Sequence, residues 1–142
     1  MAKGLTATVS VEFHADAAAV WNGLTDPSIV KQYFFGTNIE SEWKKGSPLF
    51  FRGEWEGKQY EDKGTILDIQ PEKVLKFNYW SSMSGTPDTP ENYVDITYTL
   101  TQKEGVTVLS ITQEGIETEE KMKHSMDNWK MVFEGLKKIL EK

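Results

Sequence analysis

TEEKMKHSMDNWKMVFEGLKKILEK, residues Thr118 to Lys142, sets apolar side chains at Met122, Met126, Trp129, Val132, Phe133, Leu136, Ile139 and Leu140. Spacing by threes and fours lines one face of an α-helix, so the stretch predicts a single long amphipathic helix. At about 1.5 Å per residue it runs about 36 Å, close to the roughly 37 Å diameter of a compact chain of this length. Such a helix crosses the whole molecule, and the rest of the chain must supply a matching apolar surface.

Upstream of the helix that surface reads as a sheet. YVDITYTLTQ sets Val94, Ile96, Tyr98 and Leu100 against Asp95, Thr97, Thr99 and Thr101, and Lys103-Glu104-Gly105 turns it into VTVLSITQ. Alternation with period two is the mark of a half-buried strand. LFFRGEWE and QYEDKGTILDI flank the tight-turn pair Gly57-Lys58, and Gln70-Pro71-Glu72-Lys73 leads into VLKFNYW, where Leu75, Phe77 and Tyr79 share a phase. The segment from Ser81 to Asn92, with a glycine and two prolines, is the long loop. At the other end, Leu5 to Phe13 alternates as a first strand. Asp16 then caps a short helix through Val20, Trp21 and Leu24, and Asp26-Pro27 opens a second that ends at Gly36. The order of strand, two short helices, antiparallel strands and long helix predicts an α+β fold, a curved antiparallel sheet around the C-terminal helix. A twisted sheet cannot follow a straight rod along its full length, so a wedge-shaped cavity is expected at one end. Its expected roof is the two short helices and the proline-containing loop.

Composition bounds the function. At 142 residues, residues 1–142 are expected to form one domain. A net charge of −6 with Arg52 as the single arginine argues against nucleic acid, whose phosphates need clustered cations. Cysteine is absent, which removes disulfides, thiolate metal sites and cysteine nucleophiles. With 12% aromatic residues, 27% charged and a mean hydropathy of −0.52, the chain reads as globular. No basic stretch with an apolar run follows the N-terminus, and no segment has the length of a membrane span, so a cytoplasmic location is expected.

Four segments together resemble one superfamily: VWNGLTDPSIVKQYFFG (Val20 to Gly36), EWEGKQYEDKGTILDIQPEKVLKFNYW (Glu54 to Trp80), ITYTLTQKEGVTVLSITQEG (Ile96 to Gly115) and NWKMVFEGLKKILE (Asn128 to Glu141). In this order they are similar to the SRPBCC superfamily, also called START-like or Bet v 1-like, in its branch related to the activator of Hsp90 ATPase. The resemblance implies a helix-grip fold: seven antiparallel strands gripping the long helix, two short helices closing one edge, and a hydrophobic ligand cavity. Departures from the branch are Tyr33-Phe34, where a tryptophan is common, and Asn128, where a glycine is frequent. The branch implies no catalytic residue to carry over. Its relatives include ligand carriers, cyclases and co-chaperones, so a homodimer or a chaperone remains open as protein partner.

The expected ligand-binding set is Phe34, Trp55, Phe77, Tyr79, Tyr98, Met126, Trp129 and Phe133, aromatic or soft side chains on the inward phase of helix and strands. The expected partner is a small hydrophobic or amphipathic molecule, with Phe34, Phe35 and the Ser81 to Asn92 loop as gate. No cofactor or metal is expected, because His14 and His124 have no partner at metal-ligand spacing. Arg52 and Glu54 share a face and read as a solvated ion pair rather than a substrate clamp. A cyclase- or dehydratase-like enzyme in the same cavity is the alternative, and against it stands the lack of an evident base inside. Finally, Met131 and Gly135 lie on the helix side facing away from the core, in a stripe with His124, Asn128 and Lys138, which leaves room for a partner contact.

Overall fold

A computed structural model describes residues 5–34, 36–55, 57–81, 87–116 and 118–141, with Trp55 and Pro90 described by backbone alone. Strand β1, Leu5–Phe13, turns Ala7, Val9, Val11 and Phe13 inward and leaves the intervening polar residues exposed. The period then changes at Asp16, whose carboxylate accepts the Ala19 N–H at 2.9 Å and caps helix α1, Ala17–Thr25. Asp26 closes that helix through its own N–H and caps the next, α2, Pro27–Tyr33, by accepting the Ser28 N–H at 2.9 Å. Pro27 occupies the first helical position, where no N–H is needed.

Six strands follow: β2, Asn38–Ser41; β3, Pro48–Trp55; β4, Lys58–Gln70; β5, Val74–Tyr79; β6, Val94–Lys103; and β7, Val106–Ile116. They form with β1 a seven-stranded antiparallel sheet in the order β1-β7-β6-β5-β4-β3-β2. Two bulges bend it: β4 carries an extra residue between Ile66 and Asp68 against β5, and β7 one after Gln113 against β1. A bulge kinks its strand and increases the local twist, which curls the sheet around what it covers. Helix α3, Glu119–Leu140, starts at Thr118, whose hydroxyl accepts the Lys121 N–H at 3.1 Å. It lies over β1 and β7, completing an α+β helix-grip fold. Among the described residues no helix is long and apolar enough to cross a membrane.

The two halves of α3 behave differently. Trp129, Val132, Phe133 and Leu136 are buried, but residues 119–128 include no buried residue. Met122, Met126, Ile139 and Leu140, expected to be as deep as the rest, are only half-buried. Helix α1 explains the asymmetry, because it packs on the C-terminal half of α3: a Cβ on Gly23 would stand 2.7 Å from Leu136 Cδ1. The short helices therefore seal the core at that end and leave the N-terminal half of α3 standing off the sheet. Gly135 is corrected too. A Cβ there would meet Tyr33 Cβ at 3.3 Å, so the glycine admits α2 from the same chain, and the outward stripe is not continuous.

Candidate functional site

Where α3 stands off the sheet there is a cavity of ≈ 1190 Å³, bounded by the helix from Thr118 to Trp129 and by the concave face of β3 to β7. Its inner wall is a connected set of rings. Trp129 stacks on Phe133 at 5.8 Å between centroids and 7° between planes, and Tyr98 meets Trp129 edge-on at 6.0 Å. Phe34 stacks on Phe51 at 5.9 Å and turns its edge to Trp129 at 6.4 Å, while Tyr98 and Phe51 each pack against Phe77. Edge-to-face and offset pairs at these separations are favourable beyond their burial, so the rings brace one another.

Polar groups sit at two poles. On β4, Asp62 is 8% exposed and accepts a hydrogen bond from the Tyr79 hydroxyl of β5. Beside it the Tyr60 and Thr37 hydroxyls share a hydrogen bond of 2.5 Å. Burial pushes the Tyr79 phenol far above its usual range, and neighbouring Asp62 raises it further, so the hydroxyl stays a donor. Burial alone does the same for Tyr98. At the opposite pole Gln113 of β7 lies between sheet and helix: its Oε1 accepts the Ser125 hydroxyl at 2.7 Å and the Trp129 indole N–H at 2.8 Å. The mouth carries both signs of charge, from Glu120, Lys121, Lys123 and Asp127, with His124 and Asn128 among them.

Five of the eight expected residues line this cavity: Phe34, Phe77, Tyr79, Tyr98 and Trp129. Phe133 does not reach it, because Trp129 covers it on one side and Tyr33 on the other, and it is fully buried in the core. Met126 packs, half-buried, against the core cluster and is not part of the lining. The Trp55 side chain lies outside the described residues, as do Phe35 and residues 82–86 of the expected gate. Neither α1 nor residues 87–92 contribute to the lining, and α2 contributes only Phe34 at its C-cap, so the expected roof is absent among the described residues. Arg52 pairs with Glu40 and Glu61, each at 2.7 Å, and not with Glu54; the ion pairs lie on the exposed side of the sheet.

The sequence places no evident base inside the cavity, and the structure adds the Asp62 carboxyl group to its lining. Its position was legible in the phase of β4, where Asp62, Gly64 and Ile66 alternate inward together. The same rule applied to Leu109 and Ile111 brings Gln113 to the concave face. Tyr60 shares that phase, two residues before Asp62, whereas Thr37 carries no comparable signal, since its place beside Tyr60 depends on how the α2–β2 turn folds over the sheet. Among the described residues no group of three His, Asp or Glu side chains could hold a metal ion. The arrangement can enclose an apolar body and offer a hydrogen-bond partner at each end.

Residues 14–141 match the family described as activator of Hsp90 ATPase homolog 1-like protein. Among solved structures, ChR145 from Cytophaga hutchinsonii is 45% identical, over 99% of this chain and 96% of its own, with a TM-score of 0.86. The fold is shared with the Aha1 dimer from Colwellia psychrerythraea, at 18% identity over 96% of each chain and a TM-score of 0.74. It is shared as well with DynU16, a protein of the dynemicin biosynthetic locus, at 19% identity over 96% of this chain and 47% of that one, with a TM-score of 0.79. No curated protein matches the sequence.

Proposed function

The chain belongs to the activator of Hsp90 ATPase homolog 1-like family of the SRPBCC superfamily, and on that premise we propose that it binds a small hydrophobic or amphipathic molecule between the sheet and α3. The observation that carries this reading is the cavity itself, ≈ 1190 Å³ of space against aromatic walls. Small-molecule sites have this make-up, mostly apolar lining with a few placed polar groups. The mechanism is sequestration: Phe34, Phe77, Tyr98 and Trp129 take the apolar body out of water, and the polar poles fix its orientation. A protein partner is the weaker reading, since Met131, 56% exposed, is the sole large apolar side chain exposed among the described residues. Stable protein interfaces centre on several such side chains. The test is titration of the native protein with the dye anilinonaphthalene sulfonate. Saturable binding of about one dye per chain, with transfer from Trp129, is expected; a linear response without saturation removes the proposal.

Asp62 favours a second reading, an enzyme acting in the same space. A buried carboxyl group held by a phenol that keeps its proton sets a proton acceptor beside a hydrogen-bond donor. If the cavity turns over a compound co-purifying with the protein, Asp62→Asn should slow that conversion by at least about a hundredfold with dye binding intact. Equal rates in the two proteins would take Asp62 out of any chemistry.

A further inference from the structure

Gln113 is a polar side chain that ties the sheet to α3 beside the cavity. Ser125 and Trp129 are one turn apart on the helix, and both donate to its Oε1, at 2.7 and 2.8 Å. An indole N–H can only donate. The amide oxygen must therefore face the helix, and the amide nitrogen faces the other way. Gln113 follows Ile111 on the concave phase of β7 and lines the cavity. Its Nε2 takes no partner among the described residues and is not sealed from solvent. Two residues beyond it Gly115, at φ +81°, lies in the bulge of β7 against β1. Bulges of this kind re-aim a neighbouring side chain. The result is an amide on the cavity wall that is fixed through its oxygen and has its two N–H groups left for another acceptor.

We propose that Gln113 is the specificity-determining donor of the cavity, and that its Nε2–H group hydrogen-bonds a neutral acceptor oxygen, that of a carbonyl, on an otherwise apolar ligand. An uncharged amide satisfies a carbonyl oxygen but does not compensate a negative charge taken out of water, which costs far more. This inference rests on the ligand-binding reading of the cavity and adds the chemistry of the ligand.

The probes are acetylnaphthalene, a neutral ketone, and ethylnaphthalene, a hydrocarbon of similar shape, titrated by NMR into the full chain and into Gln113→Glu. Glutamate still accepts from Ser125 and Trp129 but puts an acceptor where the donor stood. Ketone affinity is expected to fall about three- to tenfold in the variant, with the hydrocarbon held within about twofold. On the wild-type protein, where no variant need fold, the Gln113 side-chain NH2 resonance should shift with the ketone and stay in place with the hydrocarbon. Parallel losses for both probes, or an NH2 signal that ignores the ketone, overturn the donor role while leaving the cavity reading intact. If neither probe binds the wild-type chain, the cavity reading falls and takes the donor with it.

Discussion

A Cβ built on Gly64 would stand 1.7 Å from the carbonyl oxygen of Asn78, a distance no side chain tolerates. Strands β4 and β5 are drawn together there: Thr65 N–H donates to Asn78 Oδ1 at 2.7 Å, and Lys63 and Trp80 exchange backbone hydrogen bonds of 3.0 and 2.8 Å. Asp62 lies two residues along the same inward phase. Closeness of the two strands is what brings its carboxylate to the Tyr79 hydroxyl, so one glycine sets a pole of the cavity. Because the obstructing atom is backbone, it cannot rotate away, and the strand pair must separate to admit a methyl group. Gly64→Ala is therefore expected to cost at least about 3 kcal/mol, the upper range for overpacking, as measured by denaturant unfolding. A loss below about 1 kcal/mol would show that β4 and β5 part easily and that Asp62 is not held by them.

Most of the elements were legible because each obeys a single period. The alternation of Leu5 to Phe13 and of Val94 to Leu100 and the capping aspartates at 16 and 26 are local signals, and the structure follows them. The last helix was equally plain, from Thr118 as its cap to its apolar face. What the sequence concealed lies between elements. Eight apolar residues on one face of α3 give no indication that Trp129 to Leu136 would be buried while residues 119–128 would stand clear. That division follows from where α1 and α2 pack, with Gly23 against Leu136 and Gly135 against Tyr33. The aromatic wall was partly readable for the same reason: phase placed Phe77, Tyr79 and Tyr98 inward, but only three-dimensional packing decides that Trp129 lines the cavity and Phe133, one turn further along, does not. Asp62 was readable as a strand carboxylate and Gln113 by its phase, but neither was placed in the cavity, because phase gives the face of the sheet and not whether that face is packed or open there.

At the scale of the molecule, three of the five tyrosines are buried in succession from the core to the cavity. Tyr33 fills the space between α2 and α3 and donates to the Gly23 carbonyl at 2.7 Å; Tyr98 spans from the core to the cavity wall; Tyr79 reaches the Asp62 pole. Burial is the leading cause that raises all three phenols, with Tyr98 adding to Tyr33 and Asp62 adding to Tyr79. In the unfolded chain a phenol ionises near pH 10. The folded values lie above that, so the stabilisation these groups give is fully present below about pH 10 and is lost as pH rises through the folded values. Above that point the unfolded chain gives up protons that the folded chain keeps, and unfolding becomes steadily easier. Alkaline titration should accordingly show phenolate absorbance from these three tyrosines appearing only together with loss of the far-ultraviolet dichroism of sheet and helix. Ionisation of all five with the dichroism unchanged would mean that water reaches Tyr98 and Tyr33 in the native state. The boundary between closed core and open cavity would then run behind Trp129 rather than along it.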